Sequence, residues 1–124
     1  MIGSIHFEKI WEDGELIEIA VVIDSEHITA KHNYYTTKTK ISSLQEHLKA
    51  FTECRDTRFD WISADGVTSE VPRFSLICTH MDNKGHVKVE ITMDIDDCGE
   101  MAAYHKCSFN VFSELGLLSQ LTVN

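Results

Sequence analysis

Between His86 and Ile95 the side chains alternate without a break. Val87, Val89, Ile91 and Met93 fall on one phase, and Lys88, Glu90, Thr92 and Asp94 on the other. Only a β-strand sends successive side chains to opposite faces, so this segment predicts a strand with one apolar and one polar side. A face so cleanly solvated belongs to an antiparallel sheet, because parallel strands are buried on both sides. Asp82-Asn83-Lys84-Gly85 supplies a turn that folds this strand back onto Arg73 to Met81, where Phe74, Leu76 and Cys78 oppose Ile77 and Met81.

The same reading organises the rest of the chain. Residues 5–11 alternate as a strand, with Phe7 and Trp11 sharing a face expected to be core. Glu12-Asp13-Gly14-Glu15 contains the Asp-Gly hairpin signal, followed by a strand from Leu16 to Ile23 that is apolar on Ile17, Ile19, Val21 and Ile23. A third strand runs from Ile28 to Tyr35, with Tyr34 and Tyr35 on opposite faces, so that one of them is exposed. The period then changes: Ile41, Leu44, Leu48 and Phe51 recur at helical spacing, and Ser42 with Gln45 or Ser43 with Glu46 offers a capping box. Strands follow at Phe59–Ile62, Arg73–Met81, His86–Ile95 and 102–109. Asn110 is expected to cap a final helix carrying Val111, Phe112, Leu115, Leu118 and Leu121. The expected fold class is α+β: a single antiparallel sheet of six to seven strands with two helices packed on one face.

A chain of 124 residues that is 43% hydrophobic is expected to form a single domain over 1–124 with a real core. No apolar run reaches the roughly 20 residues of a membrane helix, and the first residues lack a signal-peptide pattern, so a cytoplasmic location is expected. The four cysteines, Cys54, Cys78, Cys98 and Cys107, include no C-x-x-C and are expected to be reduced there, with Cys78 in the core.

The formal charge is -9, and the acids cluster. One group is Glu8, Glu12, Asp13, Glu15, Glu18, Asp24 and Glu26, with Lys9 the only base among them. The other is Glu90, Asp94, Asp96, Asp97 and Glu100. Such a surface repels nucleic acid and suits a basic partner.

Chemical motifs are sparse. Asp94-x-Asp96-x-Cys98-Gly99 opens like a calcium loop, but Cys98 stands at its fifth position and His105 where a bidentate Glu is required. Cys98, His105 and Cys107, which His80 and His86 flanking the hairpin turn could join, carry zinc-ligand chemistry without the tight paired spacing of structural zinc sites. No nucleophile elbow, phosphate-binding loop or H-E-x-x-H occurs. No metal, no cofactor and no catalytic residue are therefore expected.

Tyr34-Tyr35-Thr36-Thr37 leading into Leu44-Gln45-Glu46-His47-Leu48, then Gly85-His86-Val87-Lys88-Val89-Glu90, and the closing segment Phe109 to Leu121 follow a hairpin near the N-terminus. This layout resembles the small bacterial immunity proteins of the wall-associated-protein (WapI-like) type, which guard a cell against its own secreted polymorphic or contact-dependent-inhibition toxin. The resemblance implies an antidote acting by steric and electrostatic occlusion, with no catalytic residues to carry over.

The expected function is thus that of an immunity protein, not an enzyme, neutralising a cognate basic toxin domain, in particular a nuclease. The expected toxin-binding residues are Glu12, Asp13, Glu15, Asp94, Asp96, Asp97 and Glu100, with no nucleic-acid or membrane partner. The rival readings are a small-ligand or regulatory module, and an enzyme using His80, His86, Cys98 or His105.

Overall fold

The structure is a computed structural model and describes residues 3–63, 74–96 and 104–118. Its strands are β1 (Ser4–Glu12), β2 (Leu16–Asp24), β3 (Thr29–Thr37), β4 (Arg58–Ile62), β5 (Phe74–His80), β6 (His86–Asp96) and β7 (Tyr104–Glu114). The helix α1 (Lys38–Thr52) separates β3 from β4, and α2 (Leu115–Leu118) is a single turn after β7. The expected single sheet is not formed. The strands make two antiparallel meanders, β1-β2-β3 and β4-β5-β6-β7.

The expected closing helix over 111–121 is also corrected. Residues 111–114 continue β7, because Val89 pairs with Val111, Val87 with Ser113 and His86 with Glu114. Val111 and Ser113 are buried while Phe112 and Glu114 face solvent, so the two-residue period of the ladder prevails over the capping signal of Asn110. The remaining helix is a four-residue turn, and the last residues of the expected helix lie outside the described residues. In α1 the cap is Thr37, whose hydroxyl accepts from Lys40 N at 3.2 Å, so Ser42 and Ser43 lie inside the helix rather than at its start.

The core lies between the sheets and under α1. The inward phases are Ile17, Ile19, Val21 and Ile23 of β2, Tyr34 of β3, Phe74, Leu76 and Cys78 of β5, and Val87, Val89, Ile91 and Met93 of β6. The Tyr34 ring stacks on Phe74 with centroids 5.0 Å apart, and Phe7 and Trp61 approach Phe74 at 6.0 and 6.3 Å. Ile41, Leu44, Leu48 and Phe51 form the buried face of α1. Trp61 Nε1 donates to Lys40 O at 2.9 Å, and Phe51 packs on Phe59.

Buried hydroxyls tie the sheets together at both flanks. Thr36 Oγ1 donates to Ser63 O at 2.7 Å, beside β4. At the other flank Gly3 N donates to Phe112 O at 2.9 Å, and Ser113 Oγ to Gly3 O at 3.3 Å. A Cβ at Gly3 would collide with Val111 Cγ1 and lie 2.8 Å from the Asp24 carbonyl oxygen, so only glycine lets β1 approach β7 this closely. Among the described residues no helix is long and apolar enough to cross a membrane.

Two stability measurements test this packing. Gly3→Ala is expected to destabilise the protein by about 1–3 kcal/mol, the range for overpacking a filled site, read as a lower denaturation midpoint. Tyr34 is 1% exposed, and its hydroxyl has no hydrogen-bond partner among the described residues. Burial also pushes the phenol well above its ordinary pKa. Tyr34→Phe keeps the stacked ring, removes the orphaned hydroxyl, and is expected to raise stability by about 1–3 kcal/mol.

Candidate functional site

The outer face of the three-stranded sheet carries the most unusual surface among the described residues. In β1 the pairing slips between Lys9 and Trp11, so Lys9 opposes Ile19 whereas Trp11 opposes Glu18. The bulge at Ile10 inverts the side-chain phase beyond it. Phe7 stays in the core as expected, but Trp11 turns to the opposite face and is 48% exposed, which corrects its expected core position. Glu18 in turn pairs with Tyr35, which is 45% exposed. The result is a row of Trp11, Glu18 and Tyr35 across three strands, with Ile10 exposed at the bulge. The next row is Glu8, Ala20 and Asn33, and Asn33 Nδ2 donates to Glu18 Oε2 at 3.5 Å. His6 and Lys31 stand in the row beyond, so the end of this face nearest the β1–β2 turn is acidic and aromatic.

The expected toxin-binding acids divide. Glu12 lies on the other phase of β1, opposite Ile17, with Lys9 Nζ at 2.8 Å and Lys38 Nζ at 3.8 Å; the Lys9 contact is the main cause that lowers its pKa. Asp13 Oδ1 accepts from Glu15 N at 2.7 Å and Leu16 N at 2.8 Å, which holds the turn and keeps its carboxyl ionised below the usual range. Glu15 is exposed beside them. In the second cluster Asp94 is half-buried and opposes Lys106. Asp96 ends β6, and Asp97 and Glu100 lie outside the described residues. The outer face of the four-stranded sheet interleaves Arg58, Lys88 and Lys106 with Asp60, Glu90 and Asp94, and Arg58 Nε meets Asp60 at 3.2 Å. Glu114 of β7 shares this phase and is exposed, so this face mixes bases with a small excess of acids, whereas at the β1–β2 end Glu8, Glu15 and Glu18 form no ion pair with a base among the described residues.

Of the histidines in the enzyme reading, His80 and His86 are each held by neighbouring groups, while the side chain of His105 lies outside what the structure describes. His80 Nε2 lies 3.1 Å from Phe51 O. A carbonyl only accepts, so in this contact Nε2 of His80 is the donor. Its ring also stacks on Phe51 at 4.0 Å. His86 Nδ1 sits 2.7 Å from Asp82 Oδ2 in the β5–β6 hairpin, where Asp82 Oδ1 also accepts from Lys84 N at 2.8 Å. Gly85 holds φ +91° in the same turn. Cavities of about 420 Å³ and 320 Å³ flank this hairpin; Asp82 lines both, with Phe112 on one side and Cys54 on the other.

Cys54, Cys78 and Cys107 are free thiols, and Cys98 lies outside the described residues. Among the described residues no three His, Cys, Asp or Glu side chains gather as metal ligands. Comparison with family models, characterised proteins and solved structures finds no match for this chain.

The His86–Asp82 contact has a definite titration signature. Hydrogen bonding to Asp82 raises the His86 pKa, and the same bond lowers that of Asp82. The His86 contribution to stability is therefore fully present below its unfolded pKa and lost as pH rises through the raised folded value. The Asp82 contribution is present above its unfolded pKa and lost as pH falls through the lowered one. The pair holds the hairpin best between these limits, in mildly acidic solution. In Asp82→Asn the imidazole titration of His86, followed by NMR, is expected to move to lower pH; an unchanged midpoint would remove Asp82 as the cause.

Proposed function

We propose that this chain is a cytoplasmic antidote of the immunity-protein type, which binds a basic secreted toxin domain, in particular a nuclease, and covers its substrate site. The observation that carries this reading is the exposure of Ile10, Trp11 and Tyr35 around Glu8 and Glu18 at one end of a sheet. Exposed Trp and Tyr are the residue types that dominate protein–protein hot spots, and surrounding carboxylates select a basic partner. A nuclease surface is basic because it binds phosphates, and an acidic protein of charge -9 competes for that surface. The resemblance of the sequence to WapI-like immunity proteins points the same way.

Within this proposal Glu8, Glu15 and Glu18 are the main acidic contacts. Glu12 contributes less because Lys9 and Lys38 already neutralise it. A second reading, a small-ligand module, rests on the two cavities beside Asp82, whose volumes fall within the range of small-molecule sites.

The test is to read the neighbouring gene and, where it encodes a secreted protein with a variable C-terminal domain, to co-express that domain with this chain and measure their association kinetics; a neighbour of any other kind counts against the reading. Survival of the cells and an association rate that falls steeply with salt are expected, since charge steering is screened over about 8 Å at physiological ionic strength. Reversal of Glu8 and Glu18 to Lys is expected to slow association more than reversal of Asp94, while thermal melting stays close to that of the parent. A salt-independent rate, or equal effects of the two reversals, would remove the acidic face from the mechanism.

A further inference from the structure

We infer that Trp11, Glu18 and Tyr35 form a clamp for a single arginine side chain on the partner's surface. This rests on the reading of a basic protein partner and names the group that the acidic face takes. The three residues lie in register on adjacent strands, Trp11 opposite Glu18 and Glu18 opposite Tyr35, all on the solvent side of the sheet. Neighbouring strands are about 4.8 Å apart, so the backbones of Trp11 and Tyr35 stand roughly 10 Å apart with Glu18 midway. A cation held over Glu18 then lies roughly 5 Å from each aromatic side chain, inside the distance of about 6 Å at which a cation is drawn to a ring face.

The chemistry favours guanidinium over ammonium. A planar guanidinium stacks on aromatic faces and presents paired N–H donors that match a carboxylate, whereas a lysine head is a compact, strongly hydrated charge. Glu18 is half-buried in the row, and Asn33 holds one of its oxygens at 3.5 Å, which steadies the carboxylate without neutralising it. Lysines elsewhere in the fold do not compete. Lys9 and Lys38 are drawn to Glu12 on the opposite phase of β1, and Lys31 stands two rows away, roughly 14 Å along the strand.

The test compares an oligoarginine peptide with an oligolysine peptide of equal length, titrated into the full chain by calorimetry at low salt. The expected result is about fivefold tighter binding of oligoarginine, the difference that one cation–π contact of ordinary strength confers. Trp fluorescence should change on binding in the parent, and that change arises at Trp11 because Trp61 is 4% exposed. Glu18→Gln, Trp11→Ser and Tyr35→Ser should each abolish the arginine preference. Trp11→Phe should keep it, and Glu46→Gln, which removes the same charge from the exposed side of α1, should leave it in place. Because the three positions face solvent, thermal melting separates lost recognition from lost folding. Equal affinity for the two peptides, or a preference that survives Glu18→Gln, overturns the clamp while leaving a charge-driven basic partner intact. If neither peptide binds at low salt, the clamp and the basic-partner reading fall together.

Discussion

Each sheet of this fold buries one face, and that face can be kept from water only against the other sheet or α1. The contact that joins them is the stack of Tyr34 on Phe74, with Phe7 edge-on to Phe74 and Trp61 at the periphery. These rings come from strands of both sheets, so the cluster exists only when the sheets face each other. Gly3 at one flank and the Thr36–Ser63 bond at the other fix where the sheets meet laterally. Once that is set, the solvent side of each sheet follows from the two-residue period alone.

The period carried most of the information in the sequence. The alternation of Val87, Val89, Ile91 and Met93 and the helical spacing of Ile41, Leu44, Leu48 and Phe51 give the order of elements found. Period does not state which strands pair. The division into three and four strands depends on β3 and β4 being separated by α1, so that they meet through the Thr36 hydroxyl rather than a ladder. The end of β7 was misleading for a related reason. Val111, Phe112, Leu115 and Leu118 fit a helical stripe, yet Val111 and Ser113 have partners waiting on β6, and cross-strand burial outweighs local helix signals.

The proposed binding face was legible only in part. That Tyr34 and Tyr35 must point to opposite sides is a consequence of strand geometry, and Tyr35 is the exposed one. The exposure of Trp11 was not visible, because a single unpaired residue at Ile10 shifts the phase and no residue type there announces it. Glu18 could be identified as part of an acidic cluster, but its place between two aromatics follows from register across three strands. The acids of the turn were easier to see and less available, since Glu12 is paired with lysines and Asp13 holds the turn itself.

The bulge therefore decides which aromatics the outer face presents to the proposed partner. Without it Trp11 would keep the phase of Phe7 and point toward the core side, and the outer row would lose one of its aromatics. With it, Glu18 and Tyr35 sit on strands whose other faces are anchored by Ile17, Ile19 and Tyr34, all buried, and Trp11 is held beside them by the β1–β2 ladder. Backbone held this firmly loses little further freedom when a partner binds, so contacts made there translate into affinity more fully than contacts from a mobile loop. The pairing of Glu12 with Lys9 and Lys38 adds to the same effect on the electrostatic side: it removes negative charge from the inner phase of β1 and leaves Glu8 and Glu18 to set the potential of the outer one. In the proposed reading, a basic partner drawn by that potential meets the exposed aromatic row first.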